Sequence, residues 1–290
     1  GTQTILYGRS GSGKSYITQK LCTCLAGKID FGYYKVPKAC KVLYVDGEML
    51  PASLQSRYRK MKPKLCSFNE WQNVLNNLHY ISRFIQPEFK EFNVDTNEFE
   101  VKQEPEMMLR TLDDKANMQQ LMNTIEVNEY EVVVLDNIFT LFCFDDFSSP
   151  TEWLIHVQPF LNWCRQNDIT VWIVDHSRKT ASSGGNSALF GSMVKQVTLD
   201  LLISVESEKK EIDYDDDTDI EFGFKWTFEK ARHLKAIEQE DVEFQIRNGD
   251  IEVVENPYKK QMILAKKYYE EGMPLRKIQE QIMEDMSYNV

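Results

Sequence analysis

"GRSGSGKS", residues 8–15, reads Gly8-x-x-x-x-Gly13-Lys14-Ser15, the full P-loop pattern. It follows a β-branched and apolar run, "TQTILYG" (2–8). It precedes "YITQKLCTCLAG" (16–27), whose apolar residues recur at helical spacing and stop at Gly27, a C-cap signal. Strand, glycine turn and helix are the context the pattern needs. Glycines at 8, 11 and 13 let backbone N–H groups close around a β-phosphate at a helix N-terminus. Lys14 is expected to bridge the β- and γ-phosphates, and the Ser15 hydroxyl to ligate Mg²⁺. The expected nucleotide cradle is Gly8, Arg9, Ser10, Gly11, Ser12, Gly13, Lys14, Ser15 and Tyr16. Because the chain starts at or inside the strand feeding this turn, further chain is expected upstream.

Outward from the turn, strands alternate with helices. "CKVLYVD" (40–46) is a nearly continuous apolar run of strand length, as in a strand buried on both faces of a parallel sheet. A helix is predicted from Pro51, and "LHYISRF" (78–84) is read as a third strand. "EVVVLD" (131–136) and "ITVWIVD" (169–175) are two more, separated by the helical "TEWLIHVQPFLNWCRQN" (151–167). This alternation predicts an α/β fold with a doubly wound, mostly parallel twisted sheet. Residues 199–254 instead read as short strands with turns, hence antiparallel edge additions, around the acidic run "EKKEIDYDDDTD" (208–219), a solvated hairpin tip. From Pro257 onward the chain is helical, with a stop at Gly272 and a restart at Pro274. We therefore expect one domain over 1–256 and a helical C-terminal extension over 257–290. That extension is either a partial helix-turn-helix or a plain helical hairpin.

Composition bounds the function. The chain has 290 residues, 42% of them hydrophobic and 12% aromatic, enough for a packed core. A formal charge of −11 argues against coating nucleic acid with the outer surface but leaves room for a local basic channel. No signal peptide and no long apolar run is seen, so the expectation is a cytoplasmic protein without a membrane partner. The six cysteines form no C-x-x-C pair and are read as buried, reduced thiols.

Three further stretches carry chemistry. "VVVLD" (132–136) is an apolar strand ending in an acid, so Asp136 would face the P-loop and hold Mg²⁺ through water. The next residue is Asn137 rather than Glu, so the group that activates the attacking water must come from elsewhere. "YVDGEM" (44–49) offers Glu48 just past the second strand on the same sheet edge, with Asp46 as the competing carboxylate. "VDHSRK" (174–179) puts His176 where a polar residue can sense a γ-phosphate. The Gly/Ser-rich stretch over 178–195, with Arg178, Lys179 and Lys195 at its ends, is the expected contact for single-stranded DNA.

In this order, "YGRSGSGKS", "VLYVDGEM", "VVVLDNI", "IVDHSRK" and "GGNSALFGS" resemble the successive motifs of the RecA-like ATPases, and among them the RepA-type hexameric replicative helicases of plasmids and phages. The resemblance covers about residues 1–235. It implies a RecA core that uses ATP and Mg²⁺, a homo-oligomeric, hexameric ring, and active sites between subunits. It makes Glu48 the catalytic carboxylate and His176 a γ-phosphate sensor linked to the DNA-facing loop. "FEKAR" (228–232) resembles the segment that puts a basic finger into the neighbour's site, with Arg232 as the finger and Lys230 assisting. The chain departs from that branch where Asp175 precedes His176 in place of a second histidine, and in the acidic run. The function expected is a ring-forming DNA helicase or translocase replicating a mobile element. A recombinase or loader ATPase of the same fold, or an ATP-gated regulatory or defence module, are the alternatives.

Overall fold

The computed structural model describes the chain except residues 33, 62–66, 83–87, 94–97, 104–110, 178–192, 209–219, 236–238, 240, 248–249, 255–256 and 288–290. Strand β1 (Gln3–Gly8) runs into the glycine turn and helix α1 (Lys14–Gly27). Then come β2 (Val42–Asp46), α2 (Pro51–Met61), α3 (Phe68–Asn77) and β3 (Leu78–Ser82). A separate hairpin, β4 (Glu88–Asn93) with β5 (Glu98–Gln103), precedes α4 (Lys115–Val127) and β6 (Val132–Asp136). Two short helices, α5 (Ile138–Leu141) and α6 (Pro150–Glu152), lead through a π-helical turn at Trp153–Val157 into α7 (Gln158–Gln166) and β7 (Thr170–His176). The π turn precedes Pro159, which has no N–H to donate to the preceding turn. Helix α8 (Met193–Thr198), β8 (Leu201–Glu208), β9 (Ile220–Ala231), β10 (Val242–Arg247) and β11 (Asp250–Val253) follow.

The main sheet has nine strands in the order β11-β10-β9-β8-β1-β7-β6-β2-β3. From β8 to β3 the neighbours pair in parallel, and β9 pairs antiparallel with both β8 and β10. Thus β7 separates the P-loop strand β1 from the Asp136 strand β6. Alternate residues of the central strands feed the two faces. Val42, Tyr44, Val132 and Val134 pack with Cys22 and Ala26 of α1 and Val74 of α3. Leu43, Val45, Val133 and Leu135 pack on the other side with Leu121, Trp153, Phe160 and Leu161. Because every central strand is covered twice, its run is apolar throughout, which is why these strands were legible.

Three readings need correction. Gly27 is not the C-cap: it is the last helical residue of α1, and Lys28 takes the left-handed conformation at φ 60°. The hairpin β4–β5 was not anticipated: only "EFEVKQ" carries an alternating stretch, and in "EFKEFN" the two phenylalanines are three residues apart. Cys143 is exposed, whereas Cys22, Cys24 and Cys164 are the buried free thiols expected. Cys66, most of the acidic run and residues 178–192 of the Gly/Ser-rich stretch lie outside the described residues.

The chain forms two compact units, Gly1–Glu252 and Val253–Val290. The second holds α9 (Pro257–Glu270) and α10 (Leu275–Ser287), which pack on each other, with Gly272 at φ +80° in the turn between them. Among the described residues no helix is long and apolar enough to cross a membrane.

Candidate nucleotide-binding site

The parallel register brings the chemistry-bearing residues to one sheet edge. Gly8 pairs with His176, Asp136 with Val174, and Asp46 with Asp136, so all lie where the parallel strands end. Ligand sites of open α/β sheets occupy this edge, where loops and helix N-termini converge.

The P-loop geometry follows from its glycines. Gly11 and Gly13 have φ of 77° and 86°, a region that side chains rarely tolerate. A Cβ on Gly8 would lie 2.3 Å from the Val205 carbonyl oxygen. Lys14 Nζ donates to the Gly8 and Arg9 carbonyls at 3.0 and 2.8 Å, bracing the turn from inside. Burial pulls its pKa from 10.5 down to about 8, against the opposing pull of Asp136, Asp175 and Glu48.

A cavity of about 340 Å³ opens over this turn, lined by Ser10–Tyr16 together with Glu48, Arg57, Asp136, Asn137, Val174 and His176. The expected residues Glu48, Lys14, Ser15, Tyr16, Asp136 and His176 therefore share one chamber. Gly8 and Arg9 instead line a second cavity of about 330 Å³ on the far flank of the turn, with Tyr7, Glu206 and Glu229. Ser12 belongs to both.

Asp136 is buried, and its Oδ2 accepts a hydrogen bond from the Tyr44 hydroxyl. Burial raises its pKa, while Tyr44, the Ser15 hydroxyl and Lys14 oppose the rise. Its Oδ1 is buried without a hydrogen-bond partner. Among the described residues no cluster of three or more His, Cys, Asp or Glu could hold a metal alone. A single orphaned carboxylate oxygen beside a hydroxyl fits Mg²⁺, which takes few protein ligands and completes its shell with water and phosphate oxygens.

Glu48 sits in a network the sequence reading only half saw. The Asn137 side chain caps α5 by accepting the Thr140 N–H at 3.2 Å. Its Nδ2 donates to Glu48 Oε1 and lies 3.1 Å from His176 Nε2. His176 Nε2 is 3.7 Å from Glu48 Oε1, and its ring meets Phe139 edge-on at 5.5 Å. His176 and Asn137 hold the Glu48 carboxyl below its ordinary value despite partial burial, so it is a carboxylate at neutral pH. Asp46 does not enter the network: its Oδ1 accepts the Glu48 and Met49 N–H groups at 2.9 and 2.6 Å and fixes the turn that carries Glu48. Burial raises Asp46 to about 6.

Two residues of the chamber were missed. Asn137 was noticed only for not being Glu; its place right after a strand-ending acid was the available signal. Arg57, on α2, places its guanidinium carbon 4.4 Å from the Tyr16 ring centroid, and no local sequence pattern marked it.

Lys230 and Arg232 lie elsewhere. Gly8 pairs with Val205, which pairs with Trp226, whereas Ala231 pairs with Leu201 at the other end of the strands. Five residues of strand separate these levels, on the order of 15 Å. There Lys230 Nζ donates to the Gln196 and Val197 carbonyls, and Arg232 donates to Val197 O at 2.8 Å. Arg232 also faces Asp200 at 3.6 Å. Burial favours a raised Asp200 pKa, but the Gln3 N–H and Arg165 overcome it and hold the carboxyl below its ordinary value. Lys195, expected at an exposed loop end, is 2% exposed and pairs with the fully buried Asp175 at 2.8 Å. Its charge is needed inside the fold, so it is not a DNA contact.

A parallel sheet with an extra strand between the P-loop strand and the Asp136 strand, and with the site across the strand ends, defines a RecA-like P-loop ATPase domain. The sequence matches the AAA domain family over residues 1–182, and the chain belongs to that family. The fold is similar to that of a KaiC-like protein from the hyperthermophilic archaeon Pyrococcus horikoshii OT3, with 13% identity and a TM-score of 0.52. That match covers 88% of this chain and 89% of the archaeal one. No curated protein matches the chain significantly.

Proposed function

We propose that this domain hydrolyses Mg-ATP as a ring-forming DNA helicase or translocase, active in replication of a mobile element. The observation that carries the reading is the division of the site. The P-loop, Asp136, Glu48, Asn137 and His176 share one chamber, while Lys230 and Arg232 stand at the opposite end of the strands. A finger so placed can serve only another copy's nucleotide, which favours head-to-tail association into a closed ring, and we take six copies as its size.

In this reading the P-loop amides and Lys14 bind the β- and γ-phosphates. Ser15 and Asp136 would hold Mg²⁺, and the ion would supply positive charge to the phosphates. Glu48, ionised and oriented by Asn137, draws the proton from the attacking water. His176 senses the γ-phosphate. Arg232 and Lys230 of an adjacent copy supply positive charge to the transition state, a contribution worth ~10³–10⁵ in rate.

The test is hydrolysis measured with and without single-stranded and duplex DNA, followed by unwinding of a forked duplex. Single-stranded DNA is expected to raise the rate, and Glu48→Gln to bind ATP while hydrolysing it at least about 10²-fold more slowly. If neither form of DNA changes the rate, the helicase reading falls in favour of an ATP-gated regulatory module. Normal turnover in Glu48→Gln removes that residue from the chemistry.

A further inference from the structure

Asp175, the residue before His176, is fully buried, and its two carboxylate oxygens are divided between two tasks. Oδ1 accepts the His176 backbone N–H at 2.7 Å, and Oδ2 accepts from Lys195 Nζ at 2.8 Å. Lys195 is itself buried on α8, with its ammonium 5.1 Å from the Trp153 ring centroid. An ion pair taken this far out of water gains little net stability, and losing one partner leaves the other charge buried and uncompensated. None of the phosphate-binding geometry requires it.

Its position supplies a reason. Helix α8 is short (Met193–Thr198), and the carbonyls that follow Lys195 within it, Gln196 and Val197, are the ones that hold Lys230 and Arg232. Cations at a helix C-terminus are favoured by the exposed carbonyls and the helix dipole. A continuous series of contacts therefore runs from Glu48 through Asn137 and His176 to Asp175, across to Lys195, and two residues along α8 to Val197, whose carbonyl holds Arg232. It joins the two ends of the strands and both halves of a shared site.

We propose that Asp175 and Lys195 are positioning residues that tie the orientation of His176 at one nucleotide site, through α8, to the placement of the Lys230–Arg232 pair that serves the next. This rests on the reading that His176 faces the γ-phosphate and that Arg232 acts on a neighbouring copy. Coupling of this kind needs one element whose arrangement both sites bias, and α8 is tied to Asp175, next to His176, on one side and to Lys230 and Arg232 on the other.

Amide hydrogen exchange over residues 193–199 and 226–232, with and without a non-hydrolysable Mg-ATP analogue, tests the coupling in the full chain. In the wild type the analogue is expected to slow exchange in both segments by about fivefold or more. Lys195→Met alone leaves Asp175 charged and unpaired and can fail to fold, so the decisive variant is the double Asp175→Asn/Lys195→Met, which removes both charges. It is expected to bind the analogue within about threefold of the wild type and to lose the exchange response. Lys195→Arg, which keeps the pair, is expected to retain the response. A wild type that binds the analogue without responding, or a double variant that responds normally, overturns the coupling alone. A wild type that does not bind the analogue overturns the nucleotide reading and this proposal with it.

Discussion

The phosphate contact proposed for Lys14 requires a charged amine, and its surroundings make that charge conditional. Its pKa in the free protein is about 8, with burial as the main cause. A bound polyphosphate favours the ammonium form, so the complex keeps its proton to higher pH than the free protein does. Binding above pH 8 then takes up a proton, and affinity falls as pH rises through about 8, approaching tenfold per unit. Equilibrium titration of ATP between pH 7 and 9.5 reads this directly, and a flat profile excludes a phosphate contact by Lys14 Nζ. For the free fold the sign is opposite. Between about 8 and 10.5 the unfolded lysine holds more protons than the folded one, so this group alone favours folding as pH rises. Sequence pattern identified Lys14, Asp136 and Glu48 because each occupies a motif position. It also ranks Glu48, just past the strand, ahead of Asp46, which at the strand end is expected to orient the loop. Only the hydrogen bonds show that Asp46 holds the turn while Glu48 faces Asn137 and His176.

Helix α1 shows how packing overrides a local signal. A glycine at the end of an apolar periodic run reads as a C-cap, yet the left-handed residue is Lys28. Gly27 serves close packing instead: a Cβ there would lie 2.8 Å from both Ile29 Cδ1 and Val74 Cγ2, where α3 packs on α1. Gly27→Ala is therefore expected to destabilise the domain by about 1–3 kcal/mol despite alanine's better helix propensity. Lys28→Gly, which relieves the left-handed cost, is expected to stabilise it by about 1 kcal/mol. Chemical denaturation of the two variants checks both signs, and a neutral or stabilising Gly27→Ala would show that α3 gives way. Strand β9, held between β8 and β10, was also longer than its sequence promised, at 12 residues. Trp226 and Phe244 pack with Phe31 from the segment after α1, with ring centroids 5.0–5.7 Å apart. No local periodicity encodes that long-range contact.

Within one copy, Arg232 lies beyond reach of the P-loop, so its proposed role as a finger depends on the association of copies. Mixing tests this. Arg232→Ala keeps its own Glu48, and Glu48→Gln keeps its own Arg232; each is expected to be inactive alone. In mixtures some interfaces pair an intact Glu48 with an intact Arg232, and hydrolysis is expected to recover to roughly a quarter of the wild-type rate under random association. A mixed rate no higher than the separate preparations would mean the finger does not act across an interface. The same far edge carries Asp200, which gathers the Gln3 N–H, Arg165 and Arg232 and ties β1 to β9.

The sheet class, the P-loop and the strand-end acids were readable from the chain alone. They depend on short-range rules: apolar runs for doubly covered strands, and glycines where φ is positive or another backbone presses close. The strand order, the Asn137 bridge, Arg57 over Tyr16, the burial of Lys195 and the distance of Arg232 from the P-loop were not. Each depends on which distant segments the sheet sets side by side. A lysine in a Gly/Ser-rich stretch looks solvent-bound until Asp175, twenty residues earlier in the chain, is found beside it in the core. The glycine turn marks a phosphate cradle by its pattern alone; the fold determined which carboxylate shares its chamber and set Arg232 at the other end of the strands.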